Sequence, residues 1–77
     1  MWYVYIVLCS KDNTLYTGAT NNLELRIKKH NDGVGAKYTR GRGPIILIKY
    51  WTFSSKKEAL SFEYKVKQLS REEKIKL

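Results

Sequence analysis

The feature that most constrains the fold of this chain is an unbroken apolar run close to its start. Residues 2–9 read WYVYIVLC and are followed by SKDNT, a cluster of turn-forming residues. A short run of β-branched and aromatic residues predicts a buried strand, and the turn with the second run Leu15–Ala19 predicts a hairpin. The run is too short to span a bilayer and has no basic region before it, so we expect neither a membrane helix nor a signal peptide.

Capping signals mark where the predicted helices begin. Asn21 and Glu24 have the spacing of a capping box and predict a helix over about residues 22–31. Serine caps with the same spacing predict a second helix through about Leu69 and a short third helix; the pairs are Ser55 with Glu58 and Ser70 with Glu73. Three helices are therefore expected.

A third apolar run, Ile45–Phe53, is predicted to be the central strand because it is apolar on both faces. The preceding segment Asp32–Pro44 contains four of the five glycines, and a loop of this length in a small domain is usually functional or mobile. These elements together predict an α+β fold with a three-stranded, mainly antiparallel sheet flanked by helices.

The chain is strongly basic. Its 77 residues include 15 Lys and Arg against 7 Asp and Glu, which gives a net charge of +8. Nucleic acid is the partner that such a field favours, with solubility alone as the alternative. A membrane surface is disfavoured, because no predicted helix pairs a wide apolar face with a uniformly basic one. The single cysteine, Cys9, permits no internal disulfide and indicates a reducing, cytoplasmic setting.

Glu63, Arg26 and His30 are charged or titratable residues at the border of the predicted core. Glu63 falls between Ala59 and Leu60 on a helical wheel, within the apolar arc of the second helix, where acids seldom lie without a partner. It is a metal ligand, or it pairs with a neighbouring lysine, or it reaches water from the edge of the arc. Arg26 and His30 share one face of the first helix and are expected to border the core without entering it.

The order and spacing of a few residues resemble the GIY-YIG endonuclease superfamily over nearly the whole chain. The two half-motifs correspond to Tyr3-Val4-Tyr5 and Tyr16-Thr17-Gly18, with tyrosine where the family name has glycine. Further positions match the family's arginine, its histidine or tyrosine, and its metal-binding glutamate: Arg26, His30 and Glu63. The resemblance implies that residues 1–77 form one GIY-YIG-like nuclease domain, similar to small stand-alone bacterial members.

The resemblance also implies catalytic roles. Tyr5, assisted by His30, would activate water; Arg26 would stabilise the transition state; Tyr16 would orient water or phosphate. Glu63 would hold Mg²⁺ or Mn²⁺, hard cations that keep several waters. Taken singly, strand tyrosines, a helix arginine and a helix-edge histidine are also ordinary structural residues. If Tyr5 and Tyr16 share a site, directly paired residues of the hairpin must have numbers with an odd sum.

The glycine-rich segment combines an aromatic side chain with cations: Lys37, Tyr38, Arg40 and Arg42. This composition suits phosphate contacts and base stacking, so these residues are predicted to bind nucleic acid. A solvated loop without a ligand is the alternative.

We expect a monomeric, metal-dependent endonuclease that hydrolyses DNA in repair or recombination, with any recruiting protein unknown. The alternative is a non-catalytic nucleic-acid-binding module of the same fold. Two departures from the family keep this alternative open. Ala19 follows Gly18 where some members have lysine, and no asparagine follows Glu63 to match the late asparagine of many catalytic members.

Overall fold

The first apolar run forms the central strand of the sheet. The computed structural model describes residues 1–77 and contains β1 (Trp2–Cys9), β2 (Thr14–Thr20) and β3 (Ile45–Phe53). The strand order is β2-β1-β3 and both pairings are antiparallel, which confirms the predicted α+β class and three-stranded sheet. The prediction that β3 is central was wrong, because β1 pairs on both sides and β3 lies at an edge.

The apolar character of β3 is misleading because part of it faces solvent. Ile46, Ile48 and Tyr50 are exposed, whereas the middle of β1 is buried on both faces. The register shifts where β3 passes Ile6 and Val7, and Ile48 is left without a paired residue. Such a bulge bends an edge strand and interrupts its regular pairing. An apolar strand therefore need not be an internal one.

Three helices follow the predicted order: α1 (Leu23–Asn31), α2 (Lys56–Lys67) and α3 (Arg71–Lys76). Asn22, not the predicted Asn21, caps α1, and its side-chain oxygen accepts the Leu25 N–H at 3.2 Å. Asn22 adjoins the first helical turn directly, which lets it reach that donor. Ser55 and Ser70 cap α2 and α3 as predicted. None of the helices combines the length and apolar character needed to cross a membrane.

The sheet carries helices on both faces. On one face, the buried side chains of Tyr5, Val7, Cys9 and Ile45 pack with partly buried residues that include Leu23 and Ile27 of α1. On the other face, Phe62 of α2 packs against Trp51 and Phe53 at ring-centroid distances of 5.0 and 5.3 Å. The polar residues of α1 are thereby held beside the face of β1 that carries Tyr5.

The hairpin register places the two motif tyrosines on the same face. Tyr5 pairs with Gly18, and Val7 pairs with Tyr16, so the paired numbers have an odd sum as the shared site requires. Gly18 is needed for a steric reason: a Cβ there would lie 2.3 Å from the Tyr5 hydroxyl oxygen. The Tyr5 ring therefore lies across the backbone of Gly18, where no other residue fits without a shift.

Candidate active site

Tyr5 and His30 form the centre of the polar cluster. The Tyr5 hydroxyl oxygen lies 2.8 Å from His30 Nε2, and both side chains are buried. The prediction that His30 borders the core without entering it was wrong, because only 1% of this residue is exposed. The loop after α1 folds back over the imidazole, and a Cβ at Gly35 would lie 2.7 Å from His30 Nδ1. A glycine at this position lets the loop bury His30.

Hydrogen bonds around His30 define which ring nitrogen carries the proton. The Thr39 hydroxyl donates to the Ala36 carbonyl at 3.0 Å, so its single proton is used there. Thr39 Oγ1 must then accept from His30 Nδ1–H, which lies 2.8 Å away. Because neutral imidazole has one N–H, Nε2 is the acceptor and Tyr5 donates to it. The four groups form a directed chain from Tyr5 to the Ala36 carbonyl.

Arg26 adds a cation to this chain. Its Nε–H donates to the Tyr5 hydroxyl oxygen at 3.4 Å. Burial raises the pKa of Tyr5 above its ordinary value of 10.0, although Arg26 opposes that shift. Burial lowers the pKa of His30 below 6.5, and the charge of Arg26 lowers it further. At neutral pH the site therefore holds a protonated phenol, a neutral imidazole and a charged guanidinium.

Two further aromatic rings extend the cluster towards the surface. The Tyr16 ring meets His30 edge-on at a centroid distance of 5.5 Å. Tyr38, from the glycine-rich loop, stacks on Tyr16 at 5.7 Å, and the Arg42 guanidinium lies 4.5 Å from the centre of the Tyr38 ring. The loop that buries His30 is thus itself fastened to the site by stacking.

The three cations of the glycine-rich loop differ in how many contacts they make with the rest of the protein. Arg42 forms an ion pair with Asp12 in addition to its contact with Tyr38. Arg40 donates its Nε–H to the Gly33 carbonyl at 3.2 Å, and its side chain remains exposed. Lys37 is exposed as well. Arg42 therefore has a structural role in holding the loop, whereas Lys37 and Arg40 present charge to solvent.

Glu63 lies on α2, the helix that packs on the face of the sheet opposite Tyr5. Its side chain is 16% exposed, and its carboxylate pairs with Lys67 of the next helical turn at 3.1 Å. Its negative charge contributes to the raised pKa of Tyr5, after burial, the opposing effects of Arg26 and the effect of Tyr16. No group of three or more His, Cys, Asp and Glu side chains gathers in the protein. A lone carboxylate suits a cation such as Mg²⁺, which keeps most of its waters, and does not suit zinc.

A small basic hollow lies beside Arg26. It has a volume of about 130 Å³, and its lining includes Arg26 and Lys29. Their three-residue spacing places both on one side of α1, a signal that was available in the sequence. Thr39 was also missed, because nothing in its position between Tyr38 and Arg40 indicates a contact with His30. The hollow is therefore lined by two cationic residues, one of which, Arg26, also contacts Tyr5.

A family model described as the GIY-YIG catalytic domain matches residues 1–76. The chain belongs to the GIY-YIG family. This membership indicates a nuclease function and a nucleic-acid substrate, and nucleases of the family generally use divalent metals.

Relatives of this GIY-YIG chain include small UPF0213 proteins. One from Clostridium perfringens is 60% identical over 77 residues, which cover 100% of this chain and 82% of the relative. One from Halobacterium salinarum is 51% identical over 74 residues, covering 96% and 95%. The solution NMR structure of a UPF0213 protein from Bacillus halodurans has 56% identity and a TM-score of 0.61, with 99% of this chain and 81% of that chain covered.

The structure brings together four of the five residues expected at the GIY-YIG site. Tyr5, Arg26 and His30 are linked by hydrogen bonds, and Tyr16 contacts the imidazole through its ring. Glu63 comes from the helix on the other face of the sheet, and Lys67 holds its carboxylate. The ion pair with a neighbouring lysine is one of the alternatives that the sequence left open.

Proposed function

We propose that this GIY-YIG protein is a divalent-metal-dependent endonuclease that hydrolyses phosphodiester bonds in DNA. The observation that carries the proposal is the contact of Arg26 Nε and His30 Nε2 with the same Tyr5 hydroxyl, at 3.4 and 2.8 Å. A cation and a proton acceptor on one phenol supply two needs of phosphodiester hydrolysis. These are charge stabilisation at the phosphate and removal of a proton from water.

Tyr5 accepts a proton from water only if its own proton leaves. His30 Nε2 is placed to receive that proton, while Thr39 holds the proton already on Nδ1. Water then gives its proton to Tyr5 as Tyr5 passes one to His30, and the resulting hydroxide attacks phosphorus in line with the bond that breaks. The lowered pKa of His30 opposes this transfer. A phosphate anion at Arg26 would offset the guanidinium charge and so favour proton transfer to His30.

Substrate binding must also open the site. Tyr5 is fully buried in the free protein, with its hydroxyl in contact with Arg26 and His30. Arg26 is only partly buried and lines the basic hollow, so it can exchange its long contact with Tyr5 for a bidentate contact with phosphate. In this proposal the phosphate draws Arg26 outward and gives water access to Tyr5. Tyr16 would orient the water or the phosphate.

Glu63 would hold the metal ion, either Mg²⁺ or Mn²⁺, in place of its contact with Lys67. When bound, the ion would neutralise negative charge on the leaving oxygen. The exposed loop residues Lys37, Tyr38 and Arg40, with Arg42 behind them, would contact flanking phosphates and bases. We further propose that the protein acts as a monomer in the cytoplasm, in DNA repair or recombination.

A non-catalytic nucleic-acid-binding module is the second candidate. Two observations favour it: Tyr5 is closed off from solvent, and Lys67 already neutralises Glu63. A module of this kind would keep the basic surface and the fold and would need neither proton transfer nor metal.

Cleavage assays on a panel of nucleic acids separate these two functions. Branched, nicked, single-stranded and intact duplex DNA would each be incubated with the protein in Mg²⁺, Mn²⁺ or EDTA, with RNA as the comparison. The endonuclease proposal expects metal-dependent cleavage of at least one DNA substrate and none in EDTA. Binding without cleavage of any substrate would favour the module.

A further inference from the structure

An aromatic cleft lies next to the basic hollow and is not used by the proposed reaction. It has a volume of about 350 Å³ and is lined by Tyr3, Tyr50, Asn21, Asn22, Leu23 and Glu24. We refer to it as the tyrosine cleft. The Tyr3 and Tyr50 rings meet edge to face at 6.2 Å, and Tyr50 is 54% exposed although it lies in the middle of a strand. The cleft therefore presents an aromatic ring with about half of its surface open to solvent.

The tyrosine cleft and the basic hollow share two lining residues, Asn21 and Asn22. Beyond these two asparagines, the hollow is lined by Arg26 and Lys29, and the cleft is lined by the two tyrosines. The base and the phosphate of one nucleotide are likewise held apart by a single sugar. A nucleotide whose phosphate lies in the hollow can therefore direct its base into the cleft.

The chemistry of the lining selects a base over a second phosphate. Glu24 brings a negative charge, which repels phosphate but accepts hydrogen bonds from the amino groups of bases. The Asn21 amide adds one donor group and one acceptor for a base edge. An aromatic ring such as Tyr50 stacks on the flat face of any base. A paired base within a duplex has its faces covered by neighbouring bases and cannot enter.

We infer that the tyrosine cleft binds an unpaired nucleobase adjacent to the phosphate held at Arg26 and Lys29. The inference rests on the proposed function only in taking that phosphate to be the one that is cleaved. It identifies the substrate class as DNA with an unpaired nucleotide at the site of reaction, as in a flap, a gap or a single strand. Intact duplex is the disfavoured substrate.

The test compares two ligands of equal charge in a buffer containing EDTA. One is a short single-stranded oligonucleotide, and the other is an abasic sugar-phosphate chain of the same length. Tyr50→Ala should weaken binding of the oligonucleotide about 10-fold, the loss expected for one stacked base, and leave the abasic chain unchanged. Tyr50→Phe keeps the ring and should bind both ligands as the wild type does. Fluorescence anisotropy of labelled ligands measures each affinity.

Tyr64→Ala is the matched control, since Tyr64 is 60% exposed on α2 and lines neither cavity. It should bind both ligands like the wild type. Equal weakening of both ligands by Tyr50→Ala, or an equal loss of oligonucleotide affinity in Tyr64→Ala, would overturn the inference. Because no metal is present, the result is independent of cleavage. If the protein cleaves DNA but its variants lack the predicted binding pattern, only the base-binding role of the cleft is disproved. If the variants show the binding pattern but the protein cleaves no DNA, only the endonuclease proposal is disproved.

Discussion

The hydroxyl oxygen of Tyr5 lies 2.8 Å from Nε2 of His30, although 25 residues separate them in the sequence. Thr39 accepts from the other ring nitrogen and donates to a backbone carbonyl, which leaves Nε2 as the acceptor of the Tyr5 proton. Thr39, in the glycine-rich loop, thereby sets the direction of the hydrogen bonds that link Tyr5 to His30.

Replacing Thr39 should change the tautomer of His30. Thr39→Val removes the acceptor for Nδ1–H, so the proton is no longer fixed on Nδ1, and in either tautomer this buried nitrogen lacks its partner, at a cost of about 1–3 kcal/mol in the free energy of unfolding. Thr39→Ser keeps the hydroxyl and should restore the wild-type state. Because His30 is the single histidine, its ¹⁵N chemical shifts report the tautomer without ambiguity. A wild-type imidazole protonated mainly at Nε2 would contradict the assigned direction.

The pKa of His30 should lie below its ordinary value of 6.5, because the imidazole is buried and Arg26 is nearby. Arg26→Gln should raise this pKa towards 6.5 in an NMR titration. Lys28→Gln removes the same charge from an exposed position that is paired with Asp32, and it should leave the His30 pKa unchanged. Equal effects of the two variants would show that the net charge of the protein, and not the proximity of Arg26, lowers the pKa of His30.

The lowered pKa of His30 also predicts how stability varies with pH. Above pH 6.5 the imidazole is neutral in both the folded and the unfolded chain, so protonation of His30 does not reduce the free energy of unfolding there. As the pH falls below 6.5, the unfolded chain takes up a proton first and the free energy of unfolding falls. The loss should end once the pH passes the folded-state pKa. Urea unfolding measured above and below pH 6.5 tests this, and a free energy that rises on acidification would contradict it.

Gly18→Ala should disrupt the site, because the new Cβ would lie 2.3 Å from the Tyr5 hydroxyl oxygen and 2.6 Å from the adjoining ring carbon. Overpacking of this kind costs about 1–3 kcal/mol, and here it would also displace Tyr5 from His30. Gly43→Ala is the matched control, since its Cβ would have no neighbour closer than 3.8 Å. Urea unfolding and the His30 NMR signals together measure both effects. Equal stability of the two variants would contradict the close approach of Tyr5 to Gly18.

Much of this fold could be predicted from the sequence, because β1 and β3 are apolar runs ended by turn residues and two helices begin at serine caps. The strand order could not be predicted, because both runs are apolar. It depends on which edge of the hairpin β3 pairs with after α1. Asn21 and Asn22 are adjacent, so the sequence did not decide which of them caps α1. The burial of His30 was missed for a different reason: it depends on the path of a loop whose glycines, Gly35 among them, carry no periodic signal.

Lys67 should compete with a metal ion for Glu63, because the two side chains pair at 3.1 Å. Lys67→Met should tighten Mn²⁺ binding, seen as paramagnetic broadening of NMR signals around Glu63, and Glu63→Gln should abolish that broadening. Lys65→Met removes a lysine of the same helix that forms no ion pair and should behave as the wild type. Broadening that persists in Glu63→Gln would place the metal elsewhere.

The central claim is that Arg26 acts on the transition state of DNA hydrolysis through its position beside Tyr5. The most direct measurement is the single-turnover rate of metal-dependent cleavage at saturating protein, for the wild type, Arg26→Ala and the control Lys28→Ala. Arg26→Ala should lower this rate about 10²-fold or more, as loss of a focused electrostatic group does, while Lys28→Ala should match the wild type. An unreduced rate in Arg26→Ala, or a wild type that cleaves no DNA with either metal, would contradict the account.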